Sequence, residues 1–107
     1  MKSGICSNHI SDPLGTPMGG STAGRGFAIA WQNGGLAEPD GTRKEPNGAF
    51  VEDVIKAAVD RLEYYQQSKF ACQYNADAID LLRQALKRLD DRTKEREQRG
   101  VEGTHRV

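Results

Sequence analysis

The chain has no excess of charge of either sign: 15 Lys and Arg stand against 15 Asp and Glu in 107 residues. A neutral chain lacks the bulk field that draws proteins onto DNA, RNA or anionic lipid, so any anion site must be built locally. Nothing in the sequence approaches the roughly 20 consecutive apolar residues that cross a bilayer, which excludes a spanning helix. The opening Met1-Lys2-Ser3-Gly4-Ile5-Cys6 has no apolar stretch of the secretory kind, so a cytoplasmic location is expected. Cysteine is scarce as well, and Cys6 and Cys72 are expected to be reduced thiols in such a chain. Aromatic residues make up only 7%. A single domain over 1–107 with so few large side chains buries a modest core, and such domains are often completed by oligomerisation.

Catalytic and metal-binding patterns are missing too. With two histidines, and no Ser or Cys in a recognisable nucleophile–base motif, nothing supports nucleophilic catalysis. Gly15 to Thr22 superficially resembles a phosphate-binding loop but lacks the lysine before Ser21-Thr22. Cys6-Ser7-Asn8-His9 offers half a zinc-site spacing, whose completion would require Cys72 and His105 to converge from far away. The expectation is a binding protein rather than an enzyme, with no catalytic residue, metal or cofactor.

What is present is divided near Gly48. Ten of the 12 glycines and all four prolines lie in 1–48, whereas 22 of the 30 charged residues lie in 49–107. The first part reads as strands and turns, the second as helices. Phe27, Ile29 and Trp31 alternate with Ala28 and Ala30, which predicts a strand over 26–32 with those three side chains on one buried face. Residues 5–10 read as a short edge strand. Gly15 to Gly24 has so much backbone freedom that it reads as a mobile loop.

A first helix is expected to start at Asn47-Gly48, with Asn47 as its cap and Glu52 and Asp53 near the positive dipole end. Its apolar set, Phe50, Val54, Ala57, Ala58, Leu62 and Tyr65, follows a 3.6-residue period and is widened by Val51, Ile55 and Val59. A break at 66–68 leaves Ser68 to cap a second helix, which buries Ile79, Leu82, Leu86 and Leu89 and runs to about Gln98 before Gly100. The fold class is therefore α+β, a small N-terminal sheet with a C-terminal antiparallel two-helix hairpin. The apolar faces are wider than 1–48 can cover, so the chain is expected to form a homo-oligomer through its hairpins.

Arg88, Arg92 and Arg96 recur every fourth residue on one side of the second helix, with Arg99 close by. Three and four positions from Arg96 lie Thr93, Arg99, Arg92 and Gly100, none of them acidic. Forked guanidinium donors in that setting suit phosphate, although charge runs in general are commonly solvated faces. Tyr64 and Tyr65 point about 100° apart on a helix, so one ring can enter the core while the other faces a cleft or a partner chain. Asn75, one turn into the second helix, supplies an amide that can read a base edge. Stacking aromatics beside arginines are what a purine nucleotide needs. Taken singly, core packing for a tyrosine and solvent exposure for an asparagine explain these residues as well.

The segments Trp31-Gln32-Asn33-Gly34, Asn47-Gly48, Glu52-Asp53-Val54-Ile55, Arg61-Leu62-Glu63-Tyr64-Tyr65-Gln66, Ser68-Lys69-Phe70-Ala71-Cys72 and Asn75-Ala76 form a recognisable series. With the closing Arg92-Thr93-Lys94-Glu95-Arg96-Glu97-Gln98-Arg99-Gly100-Val101-Glu102-Gly103-Thr104-His105, they resemble the phage anti-Thoeris sponge family. The resemblance implies a phage protein acting in the host bacterial cytoplasm that binds a cyclic ADP-ribose isomer, an immune signal, and holds it without cleaving it. It implies dimers and hexamers, and a hairpin shared with phage sponges for the cyclic di- and trinucleotides of CBASS immunity. The same resemblance assigns Tyr65 to stacking on adenine, Asn75 to ligand contact, and Arg92 and Arg96 to the pyrophosphate. Thr104 and His105 would close over the ligand from the same or a neighbouring chain. The chain departs from the family pattern at Gln73-Tyr74, where a basic residue and a glutamate are usual, and at Asp80-Leu81.

Overall fold

The structure is a computed structural model and describes residues 4–37 and 40–98. The described residues form two compact units, one up to Phe50 together with Arg96–Gln98 and the other Val51–Glu95. The architecture is α+β, as expected: three antiparallel strands followed by two helices.

In the first unit, β1 (Ile5–Ser11), β2 (Pro17–Gly24) and β3 (Phe27–Trp31) pair in the order β1-β2-β3. The Asp12 carboxylate shapes the first turn, accepting from the backbone amides of Leu14 and Thr16 at 2.9 Å each. A two-residue turn, Arg25-Gly26, makes the second, with Gly26 at φ 84°, the positive φ that the second central position of a type II turn needs.

The mobile loop expected over 15–24 is instead the central strand of the sheet. Backbone freedom costs β2 entropy, but β1 and β3 hydrogen-bond it on both sides, and that pairing outweighs local propensity. The glycines have a specific use there. Between His9 and Ser11 of β1 the partner advances from Gly20 to Pro17, so β2 carries one extra residue. Gly19 and Gly20 accommodate this bulge at φ 102° and 128°, backbone that side chains resist.

Facing rows of the sheet run Ser7–Thr22–Ile29 and His9–Gly20–Trp31. Thr22 is buried and its hydroxyl oxygen accepts from the Trp31 indole at 2.8 Å, with the Ser7 hydroxyl 3.0 Å away. This satisfies groups whose burial would otherwise be costly. Of the apolar face expected on β3, Ile29 and Trp31 are half-buried but Phe27 is 45% exposed, lying over Gly24.

The outer edge of β3 is closed by Ala49: its amide donates to Ala30 O at 2.7 Å and its carbonyl accepts from Gln32 N at 2.9 Å. Asn47 is occupied in the same joint. Its Oδ1 accepts from Asn33 N at 2.8 Å, its Nδ2 donates to Asn33 O at 3.0 Å, and its own amide donates to the Gln32 side chain. Asn47 is therefore not the helix cap, and α1 (Val51–Gln66) begins later than expected. Glu52 and Asp53 do lie in its first turn.

The second unit holds α1 and α2 (Gln73–Gln98) as far as Glu95. Ser68 closes the helix before it rather than the one after: its hydroxyl donates to Tyr65 O at 2.6 Å and accepts from Phe70 N at 3.1 Å. Ion pairs Glu63–Arg83 at 2.7 Å and Glu52–Arg92 at 3.8 Å link the helices. As the first partner moves back along α1 the second moves forward along α2, which is an antiparallel register. Val59 is buried, whereas Ile79, Leu82, Leu86 and Leu89 are half-buried rather than enclosed. Val51, Ala57, Ala58, Phe70, Tyr74 and Leu81 are exposed, so apolar surface remains uncovered in the single chain.

Candidate functional site

The turn between the helices gathers the first group of candidate residues. Gln66 clamps both backbone groups of Cys72, its Oε1 accepting from Cys72 N and its Nε2 donating to Cys72 O, each at 3.0 Å. That clamp fixes where α2 starts relative to α1, and Asn75 joins it by donating to Phe70 O at 3.2 Å. Asn75 is half-buried with its amide nitrogen engaged in this turn.

Tyr65 is half-buried and Tyr64 is 57% exposed, as adjacent helical positions dictate, with ring centroids 6.1 Å apart. Arg61 lies beside both. Its guanidinium carbon is 4.9 Å from the Tyr64 ring centre and 5.1 Å from that of Tyr65, and its Nε donates to the Tyr65 hydroxyl at 3.3 Å. Its hydrogen bond to the Tyr65 hydroxyl holds the Arg61 pKa above its ordinary value. Arg61 orients Tyr65, a role whose signal in the sequence is the spacing of three and four residues from Arg61 to Tyr64 and Tyr65.

The arginine candidates stand at the opposite end. Arg92 faces Glu52 of the first turn of α1, and Arg96 follows one turn later on α2, half-buried. The acidic neighbour of Arg92 is thus supplied by the other helix, which spacing along a single helix does not reveal. Glu52 and Tyr65 both belong to α1, and at about 1.5 Å of rise per residue they lie roughly 20 Å apart along it. One hairpin therefore keeps Tyr65 and Asn75 near its turn, with Arg92 roughly 20 Å from Tyr65 and roughly 25 Å from Asn75. Thr104 and His105 lie outside the described residues.

Cys6 and Cys72 are free thiols, both exposed. Among the described residues no group of His, Cys, Asp and Glu is placed to hold a metal ion, and no helix is long and apolar enough to cross a membrane.

A small antiparallel sheet feeding a polar, ion-paired helical hairpin with an aromatic turn and an arginine end defines a class of α+β hairpin proteins. The family described as the Acb2/Tad1 hairpin domain matches residues 28–94, and the chain belongs to it. It is also 53% identical over 64 residues to a protein named Thoeris anti-defense 1 from Bacillus phage SBSphiJ7. That match covers 60% of this chain and 45% of the phage protein, so the chain spans less than half the length of its curated relative.

Proposed function

We propose that the protein is a phage counter-defence sponge: it binds a cyclic ADP-ribose isomer made by Thoeris immunity and sequesters it intact. The observation that carries this reading is the hairpin family match over 28–94, joined to the kinship with Thoeris anti-defense 1. Tyr65 stacks on the adenine, Asn75 contacts the ligand, and Arg92 and Arg96 hold the pyrophosphate through forked, charge-assisted hydrogen bonds. Thr104 and His105 close the pocket. Retention needs tight contacts and no general base, so the protein acts as a binder rather than an enzyme.

The roughly 20 Å between Tyr65 and Arg92 in one hairpin exceeds what a single dinucleotide-sized ligand bridges with both contacts direct. The pocket therefore combines the turn of one copy with the arginine end of another, in a homo-oligomer, a hexamer by family resemblance, working in the host cytoplasm. The uncovered apolar residues of the hairpin supply its interface.

Incubating the purified protein with the signal, measuring depletion of free ligand and then heating the protein to release what it holds tests this directly. Intact ligand in the released fraction is expected. A cleaved product would make the protein a hydrolase, and depletion only of cyclic di- or trinucleotides would shift the reading to CBASS signals.

A second prediction concerns Glu52, whose carboxylate competes with a phosphate for Arg92. A partly exposed pair of this kind is worth less than about 1 kcal/mol, so Glu52→Gln is expected to tighten ligand binding by up to about fivefold. Weaker binding by titration calorimetry would instead make the Glu52–Arg92 pair a support of the pocket and remove Arg92 from the ligand.

A further inference from the structure

We infer that Asn33 is a spontaneous modification site: it loses its side-chain amide to attack by the Gly34 backbone nitrogen, while the fold shields the same dipeptide at Asn47-Gly48. The reaction needs only water and does not depend on the ligand.

Asparagine precedes glycine at 33–34 and at 47–48. Glycine favours this chemistry because it puts no side chain beside its own nitrogen and lets the chain turn freely. The Gly34 nitrogen bonds to Asn33 Cγ, the Cγ–Nδ2 bond breaks, and the Gly34 amide proton leaves with Nδ2 as ammonia. Water then adds across one of the two carbonyls of the resulting imide. Opening at Cγ gives aspartate, and opening at the former main-chain carbonyl gives isoaspartate, whose backbone runs through Cβ and Cγ. Nothing is oxidised or reduced.

Ring closure requires a nitrogen and an amide carbon that are free to meet. In Asn47-Gly48 neither is free. The Gly48 nitrogen donates to Gln32 Oε1 at 3.1 Å, and the Asn47 amide is held at both ends by Asn33 N and Asn33 O. Gly48 is also pressed against β3, where an added Cβ would lie 2.5 Å from the Trp31 carbonyl carbon. Asn33 is the reverse case. The joint grips it by its backbone alone, and among the described residues its exposed side chain makes no hydrogen bond and the Gly34 nitrogen has no partner. Gly34 itself stands past the end of β3 at φ 81°, outside the strand pairing.

The modification acts on the joint. Asn33 O accepts from Asn47 Nδ2 and, at 3.3 Å, from Gln32 Nε2. Isoaspartate takes that carbonyl out of the main chain as a free carboxylate, and either product adds a negative charge to a chain that holds 15 of each sign. The contacts that tie 32–34 to 47–49 are weakened as a result.

The test follows both dipeptides in one sample. Trypsin separates them, since Asn33 falls in 26–43 and Asn47 in 45–56. The folded protein is incubated in mildly alkaline buffer, because the attacking nitrogen must give up its proton. Mass spectrometry is expected to show the amide-to-acid exchange in 26–43 at several times the rate in 45–56. In urea, where both dipeptides are equally free, the two rates are expected to converge. Equal rates in the folded protein, or exchange at neither position while the urea sample reacts, would overturn the proposal. A preference for Asn33 that persists undiminished in urea would overturn it as well, by assigning the selectivity to local sequence and not to the fold. Signal binding enters none of these readouts, so failure here and failure of the sponge reading are separable.

Discussion

Chains carrying Tyr65→Ala, mixed with chains carrying Arg92→Ala and allowed to exchange subunits, are expected to recover ligand sites that neither variant has alone. Each substitution removes a contact of about 1.5–3 kcal/mol, a loss of roughly tenfold or more in affinity. Because Tyr65 and Arg92 stand at opposite ends of one hairpin, the proposed pocket takes each from a different copy. In a random one-to-one mixture, about a quarter of the sites then combine an intact Tyr65 with an intact Arg92. A pocket confined to one chain would recover none, since every chain in the mixture carries a defect. Counting high-affinity sites by calorimetry after mixing distinguishes the two outcomes, and no recovery would place the whole site within a single copy.

The largest effect on stability is expected at Gly20. A Cβ there would overlap the carbonyl oxygen of Asn8 and lie 3.2 Å from His9 Cα, all of it backbone of the neighbouring strand, at a φ of 128°. Neither strand can yield without breaking the pairing, so Gly20→Ala is expected to cost about 3 kcal/mol or more. Gly26→Ala is the matched control. Its φ of 84° is also positive, but nothing lies within 4 Å of the added carbon. Backbone strain alone then costs about 1–2 kcal/mol. Urea denaturation of both variants gives the comparison, and equal losses would show that crowding against β1 contributes nothing.

The legible parts of this protein were those fixed by short-range periodicity. Alternation at Phe27, Ile29 and Trp31 identified β3, and the 3.6-residue apolar pattern identified α1 and α2. Tyr64 is exposed and Tyr65 half-buried, in keeping with the 100° between adjacent helical positions. Polar residues with several possible partners are settled by the fold and not by local sequence. Asn47 and Ser68 have the chemistry of helix caps, yet Asn47 is held by Asn33 and Gln32 of the sheet joint, and Ser68 by the end of α1. A side-chain amide or hydroxyl bonds whatever backbone the fold presents, and a linear sequence does not say which.

The α+β class, the division near Gly48 and the placing of the aromatic and arginine residues on their helices follow from composition or from the repeat of a single element. That the glycine-rich run is a central strand, that Glu52 faces Arg92, and that Tyr65 and Arg92 lie at opposite ends of one hairpin emerge from the folded chain alone. Those outcomes depend on pairing between segments remote in sequence. Two strands stabilise a segment with little strand preference of its own, and the Gln66 clamp on Cys72 helps set which residues of the two helices come to face each other.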